Sequence, residues 1–262
     1  MRYIRFLDQS GVEQQGVVEG HVVKGTMGNI FEEIQYSGEV WPLHDLKLLP
    51  PVIPANFYAA GVNYSRHLES VAKKKGVPFE LPKQSHIGYR SPSALTGNET
   101  PIVVPKASCG RLQFEAELVA VIGKSARNVS EADALDYVFG YTIGNDVSER
   151  QWQAADRTLW RAKNCDTFKP MGPWIETNVS LESLTTVVRM NGEEVSRFRT
   201  NDMIFGVAAT IAEISRFITL CPGDVIWMGT DEPTLDMVAG DIIEIEIDGI
   251  GILSNTLIAE RD

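Results

Sequence analysis

FEAELVAVIG, residues 114–123, has the pattern of a buried strand, yet it carries two glutamates. Alternate side chains leave a strand by opposite faces, so Phe114, Ala116, Leu118 and Ala120 share one surface while Glu115, Glu117, Val119 and Val121 share the other. Both carboxylates therefore point the same way, roughly 7 Å apart along the strand. With two valines continuing that face, a pair of ionised groups there repels itself unless a cation sits between them or one of them keeps its proton.

The sequence around this stretch is rich in strands. Candidates fall at 57–61, 101–104, 113–123, 139–145, 185–190, 224–228 and 241–254, and VVRMNGEEVSRF forms a hairpin about an Asn191-Gly192 turn. Helical periodicity is confined to SRHLESVAKKKG (65–76), SEADALDYVFG (130–140, capped by Ser130) and TNDMIFGVAATIAEISRF (200–217). In the last, Met203, Ile204, Val207, Ala208, Ile211 and Ile214 make an apolar stripe. The strands cluster and do not alternate with helices at a regular spacing. That pattern predicts a mainly β chain with some α, a mixed β-sandwich or roll with a few packed helices, in preference to a doubly wound sheet or an eightfold barrel. Upstream, RYIRFL, GVVEG and HVVKG read as a small β-meander, and four prolines between 42 and 54 suit an extended connector. The predicted division is a small N-terminal β domain with its connector over 1–55 and a larger domain over 56–262.

Composition narrows the function. Of the 262 residues 44% are hydrophobic and 23% charged, ordinary globular values. Acidic residues outnumber basic ones 35 to 24, for a net charge of −11, and no basic cluster is broad enough to follow a phosphate backbone, so no nucleic-acid partner is expected. The short run Lys73–Lys75 reads as a complement to a helix dipole. No apolar run reaches the roughly eighteen residues that cross a bilayer, and MRYIRFLDQSG lacks the apolar core of a signal peptide, so the expectation is a soluble cytoplasmic protein without a membrane partner. Cys109, Cys165 and Cys221 form no CxxC pair, which argues against a disulfide framework and a thiolate zinc site; Cys165 reads as a packing residue.

A third carboxylate stands in a similar setting. In YTIGNDVSERQWQ, Asp146 ends the apolar run YVFGYTIG. Three carboxylates converging on one point suit a hard divalent cation, Mg²⁺ or Mn²⁺, with water or substrate oxygens completing an octahedron. No His or Cys accompanies them at ligand spacing, which counts against zinc. The competing reading of an ExE strand is an exposed edge or one half of a salt bridge.

Seven segments, in order from about residue 57 to 257, resemble the fumarylacetoacetate hydrolase family: GVNYSRHLES (61–70), FEAELVAVIG (114–123), GNDVSERQWQ (144–153), KNCDTFKPMGPW (163–174), the hairpin at 191–192, CPGDVIWMGT (221–230) and AGDIIEIEIDGIGILSN (239–255). The resemblance implies a mixed β-sandwich roll with a small N-terminal domain and a homodimeric assembly. It implies that Glu115, Glu117 and Asp146 bind the divalent metal and that His67 is the base. Lys163 matches the family's lysine near the substrate and Gln153, in the R-x-x-Q begun by Arg150, a ligand of a substrate oxygen. Thr230 falls in the family's GT, though Asp231 follows where relatives have proline. Tyr89 and Arg90 occupy the place of an aromatic and a lysine, so that Arg90 is expected to clamp a distal carboxylate of the substrate. Many hydrolytic members carry a glutamate three residues after the histidine; here that position is Ser70, and Glu69 lies about 200° around the helix from His67. Ser70, another carboxylate such as Glu80, or no residue then orients the imidazole.

A Mg²⁺ or Mn²⁺ site of this kind chelates the adjacent oxygens of a 2-oxo acid or β-dicarbonyl compound and stabilises the enolate formed when a neighbouring bond breaks. The leading expectation is a metal-dependent hydrolase cleaving a C–C bond in such a small molecule from aromatic or sugar-acid catabolism. A decarboxylase or hydroxymuconate-type isomerase of the same fold is the alternative, and a non-catalytic metabolite-binding domain the remote one.

Overall fold

The computed structural model describes residues 1–261. The side chains of Lys74 and Lys75, in the basic run expected at a helix end, lie outside the described set. Four α-helices occur among the described residues: α1 (Ser65–Lys75), α2 (Arg150–Ala155), α3 (Trp160–Asn164) and α4 (Val207–Phe217). All else that is regular is strand or short 3₁₀ turn, in a mixed β-sandwich roll.

The largest sheet runs, in spatial order, through Gln35–Pro42, Val22–Met27, Glu13–Glu19, Arg2–Leu7, Lys169–Glu176, Val138–Asn145, Ala116–Ile122, Val225–Trp227, Phe57–Gly61 and His86–Tyr89. Ala116–Ile122 lies near its middle and is buried on both faces. Leu118, Ala120 and Ile122 face one core, which a five-stranded sheet covers with Val188, Ile243, Ile245, Ile247, Leu253 and Leu257. Val119 and Val121 face another core with Phe57, Met171, Ile175 and Trp227. The alternation expected from the sequence thus separates two cores. The N-terminal meander joins the same sheet edge to edge, Arg2 opposite Glu176 and Tyr3 opposite Ile175, and Lys47–Leu49, within the proline-rich stretch, adds a strand beside Arg2–Leu7.

Several expected elements differ. The 113–123 strand is two pieces: Leu112–Gln113 pairs in a separate three-stranded sheet with Ser148–Glu149 and Asp236–Met237, and the main strand begins at Ala116. The helix expected over 130–140 is only a 3₁₀ turn at Ala134–Tyr137. From Val138 onward the β-branched and aromatic residues are drawn into an eight-residue strand between two long neighbours, where ladder bonds and burial outweigh a weak helical period. The helix expected from 200 starts at Val207, because residues just before it bond to Asn63: Ile204 N–H donates to its carbonyl at 2.7 Å and Phe205 N–H to its Oδ1 at 2.9 Å. The 241–254 segment is a hairpin of Ile242–Ile247 with Gly251–Ala259. The 191–192 turn forms as expected, with φ of 55° at Asn191 and 84° at Gly192, between Thr185–Met190 and Glu193–Arg199.

Gly144, paired with Glu117, shows how tightly the central strands are backed. A Cβ there meets the Trp227 ring at 2.6–2.8 Å, below any van der Waals contact. Gly144→Ala is expected to destabilise the chain by about 1–3 kcal/mol through overpacking, measured as a lower midpoint with an unchanged slope in urea unfolding.

Candidate active site

Register gathers the acidic residues. Ala116 pairs with Asn145 and Glu117 with Gly144, so the start of one strand lies against the end of the other. Just beyond the ladder Asp146 N–H donates to Glu115 O at 2.9 Å and Glu115 N–H to Asn145 Oδ1 at 3.1 Å. This fixes both flanking residues. One oxygen from each of Glu115, Glu117 and Asp146 lies within 4.8 Å of the others, and all three residues are buried.

Four cationic side chains surround these three carboxylates. Lys163, in the last turn of α3, reaches Glu115 Oε2 at 2.5 Å and Asp146 Oδ2 at 2.7 Å. Arg90 donates through Nε and Nη2 to Asp146, the shortest contact being 2.8 Å. Arg150 pairs with Glu115 Oε1 at 2.7 Å. Lys169, with no exposed side-chain surface, pairs with Asp146 Oδ1 at 2.7 Å and donates to the carbonyls of Val147 and Phe168.

The cations divide the carboxylates into two kinds. Burial pushes Asp146 up, but Arg90, Lys163 and Lys169 hold it well below the usual carboxylate range. Glu115 is likewise pushed up by burial and brought down, on balance below its ordinary value, by Lys163 and Arg150. Glu117 behaves oppositely: burial, then Asp146 and Glu115, push it well above the usual range, relieved by Lys163 and the Gly229 N–H at 2.7 Å. Burial lowers Lys169 to about 8, with Asp146 opposing. Hard oxygens converging at this spacing, with Glu117 held by a backbone amide and in no direct ion pair among the described residues, fit a divalent cation.

The site opens into a cavity of about 130 Å³ bounded by the three carboxylates, His67, Arg90, Gln153, Lys163 and Thr230, among others. That volume suits a small acid better than a drug-sized ligand. His67 lies in the first turn of α1, whose approach is set by Asn63; Asn63 Nδ2 donates to Phe205 O at 3.0 Å and Met228 O at 2.8 Å. Val62, a β-branched residue on the cavity wall, has φ of 52°, a strained conformation of the kind that recurs at functional sites. The carboxylate beside His67 is Glu232, with Oε1 3.0 Å from Nδ1. The two atoms are at hydrogen-bonding distance but not aligned as a hydrogen bond, a looseness common before substrate closes a site. Glu232 was not singled out from sequence; it lies some 165 residues after His67 in the segment DEPTLD, where nothing distinguishes it from a surface acid.

The other expected site residues sort by geometry. Gln153 accepts from Arg150 Nη1 at 2.8 Å at the cavity wall, and Thr230 is buried there. Arg90 faces the cavity, but its two-pronged contact goes to Asp146, an internal partner, and not to an open position awaiting a distal carboxylate. Tyr89 does not line the cavity. It is 59% exposed and its ring rests on Tyr58, because successive residues of the His86–Tyr89 strand and its continuation face opposite ways. Cys165 packs against the main core with its thiol near Arg161 O, and burial pushes that thiol up, away from reactivity. Lys169 was missed, although a lysine inside the apolar run FKPMGPWI was the available signal.

A family model for the fumarylacetoacetate (FAA) hydrolase C-terminal region matches residues 56–258. The chain belongs to the fumarylacetoacetate hydrolase family. A second model, Rv2993c-like N-terminal, matches residues 1–51. Family relatives carry several reactions. Oxaloacetate tautomerase fahd2, mitochondrial, of Xenopus laevis is 37% identical over 82% of this chain and 69% of its own length. The structure of 5-carboxymethyl-2-hydroxymuconate delta-isomerase from Mycobacterium smegmatis superposes with a TM-score of 0.90 at 32% identity over 99% of this chain and all of that one. Maleylpyruvate hydrolase from Sphingobium sp. SYK-6, in complex with manganese(II) and pyruvate, superposes with a TM-score of 0.81 at 27% identity over the full length of both. The family is thus one of enzymes, isomerases and hydrolases among them.

The titration of Glu117 gives a direct test. Its folded value lies above its unfolded one, so folding takes up a proton, and the stability this contributes is fully present below about pH 4.5 and lost as pH rises through the folded value. In metal-free protein, Glu117→Gln is expected to raise the melting temperature at pH 7–8 relative to wild type and to flatten its decline with pH, read by differential scanning calorimetry. Calorimetric Mn²⁺ affinity, which requires that proton to leave, is expected to rise with pH in wild type and to fall at least tenfold in Glu117→Gln.

Proposed function

We propose that this chain is a Mg²⁺- or Mn²⁺-dependent enzyme that cleaves a C–C bond of a small 2-oxo acid by hydrolysis. The observation that carries the reading is the contact of Glu232 with His67 at the wall of the cavity that holds the acidic triad. Glu115, Glu117 and Asp146 would hold the metal, which when bound polarises the oxygens of the 2-oxo acid. Around it the chain's own groups divide the work. Lys163 and Arg90 place fixed positive charge where the substrate's carboxylate and developing enolate lie, in a site too buried for water to screen them. Gln153 offers its amide to a substrate oxygen, and Thr230 lines the same cavity. His67 takes a proton from water as the bond is attacked, and Glu232 at Nδ1 sets the tautomer that leaves Nε2 free to accept it and stabilises the imidazolium that results. The fit of the whole chain to a maleylpyruvate hydrolase that holds manganese and pyruvate supports the same reading.

Isomerisation or decarboxylation of a similar substrate is the second reading. It is favoured by the excess of cations over carboxylates, which stabilises an enolate whether or not water attacks, and by the 0.90 TM-score to a hydroxymuconate isomerase. A panel of acylpyruvates, oxaloacetate and a 2-hydroxymuconate, assayed with and without Mg²⁺ or Mn²⁺, separates the two by product. Glu232→Gln is expected to slow C–C cleavage by about 10²–10⁴-fold while oxaloacetate enolisation changes by less than about fivefold. A wild-type enzyme that isomerises or decarboxylates but never cleaves an acylpyruvate would establish the second reading instead.

A further inference from the structure

Gln113 stands beside the site with no part in the chemistry above, yet both ends of its amide are engaged. Its Oε1 accepts from Arg150 Nε at 2.7 Å and from Thr234 Oγ1 at 3.0 Å, and its Nε2 donates to Asp236 Oδ1 at 2.6 Å. It belongs to the small three-stranded sheet, and each strand of that sheet adjoins a different segment of the site. Ser148–Glu149 joins Asp146 to Arg150 and Gln153 of α2; Leu112–Gln113 leads into Glu115; Asp236–Met237 ends the loop that carries Glu232.

From Gln113 the contacts run in two directions. On one side Arg150 also binds Glu115 Oε1 at 2.7 Å and Gln153 Oε1 at 2.8 Å, while its Nη2 is buried without a hydrogen-bond partner, so its placement depends on Nε and Nη1. On the other side the Thr234 N–H donates to Glu232 Oε2 at 3.4 Å, and Glu232 Oε1 lies at His67. A chain of polar contacts therefore joins His67 to a carboxylate of the acidic triad, and Gln113 is its middle link. The loop between Asp231 and Asp236 is held at its start by Arg66, which donates to the Glu232 carbonyl and pairs with Asp231, but beyond Glu232 it packs little: Pro233 and Leu235 are exposed. A segment with few buried apolar contacts opens locally at low free-energy cost unless specific hydrogen bonds restrain it.

We propose that Gln113 is a positioning residue, which fastens the Glu232 loop to Arg150 and so keeps the carboxylate behind His67 in register with the metal-binding carboxylates. This rests on the reading of His67 and Glu232 as the water-activating pair. An amide oxygen shared by donors from two segments fixes them relative to each other, and an apolar residue in its place leaves both the Arg150 Nε–H and the Thr234 hydroxyl without their acceptor.

Hydrogen–deuterium exchange on the full-length, metal-free chain tests the link without depending on any reaction. Gln113→Leu is expected to speed exchange at 231–235 by about tenfold or more while 116–122 keeps its wild-type rate; Thr234→Val, which removes the contact from the other side, is expected to do the same. Gln113→Glu paired with Asp236→Asn keeps an acceptor for both donors and lets residue 236 supply the amide N–H that Gln113 gave up, and is expected to keep the loop protected. In the Mn²⁺-loaded enzyme, Gln113→Leu should keep calorimetric Mn²⁺ affinity within about threefold and KM nearly unchanged, while kcat for C–C cleavage falls to the level of Glu232→Gln, the double variant being no slower than either. Wild-type exchange of the loop in Gln113→Leu and Thr234→Val would overturn the proposal, as would losses in the double variant that multiply. If wild type cleaves no C–C bond, the hydrolytic reading fails while the exchange result still decides the role of Gln113.

Discussion

Electrostatic repulsion among three buried carboxylates is the constraint around which the molecule is organised. The ladder that pairs Ala116 with Asn145 and Glu117 with Gly144 leaves no freedom about where Glu115, Glu117 and Asp146 fall. A slip of one residue would turn both glutamates into the core packed by the five-stranded sheet. Burial on both sides of Ala116–Ile122 makes such a slip prohibitive, because each face already meets a filled core. The same packing that forces like charges together thus makes their position exact enough to serve chemistry.

The response to that repulsion is uneven, and the unevenness has a function. Asp146 is gripped by Arg90, Lys163 and Lys169, and Glu115 by Lys163 and Arg150, so both remain ionised even without a metal. Glu117 takes what is left: burial with two anions nearby and a single backbone amide in direct contact. A divalent ion gains most from the carboxylate that is least satisfied, while the ones already paired supply fixed geometry. Lys163 lies between Glu115 and Asp146, on oxygens that a metal would also take under the proposed function, and it lines the same cavity.

What could be read from the sequence was what local pattern encodes. Alternation within FEAELVAVIG gave the two-faced strand and the shared direction of its glutamates, and Asn191-Gly192 gave its turn, because period-two burial and positive φ are properties of neighbours in the chain. The 130–140 and 200–206 segments were misread as helix because what decides them is distant: a long strand on each side in one case, and the amide of Asn63 in the other. Glu232 was hidden for a similar reason. Its place beside His67 comes from a loop folding back over the first turn of α1, and Ser70 shows only that no acid stands three residues after the histidine, not which distant one lies beside the ring. Tyr89 was grouped with Arg90 by resemblance, whereas the alternation of the strand leaves it largely exposed with its ring on Tyr58.

None of the residues given above as lining the cavity comes from the N-terminal strands, yet those strands adjoin the sheet that carries it. Arg2–Leu7 lies along the outer edge of Lys169–Glu176, the strand whose first residue grips Asp146. Excising the meander would leave that edge with open amide and carbonyl groups, a template for any passing strand. The leading segment is therefore a hem on the central fabric, and a fragment trimmed of it would present a raw seam along which copies can join.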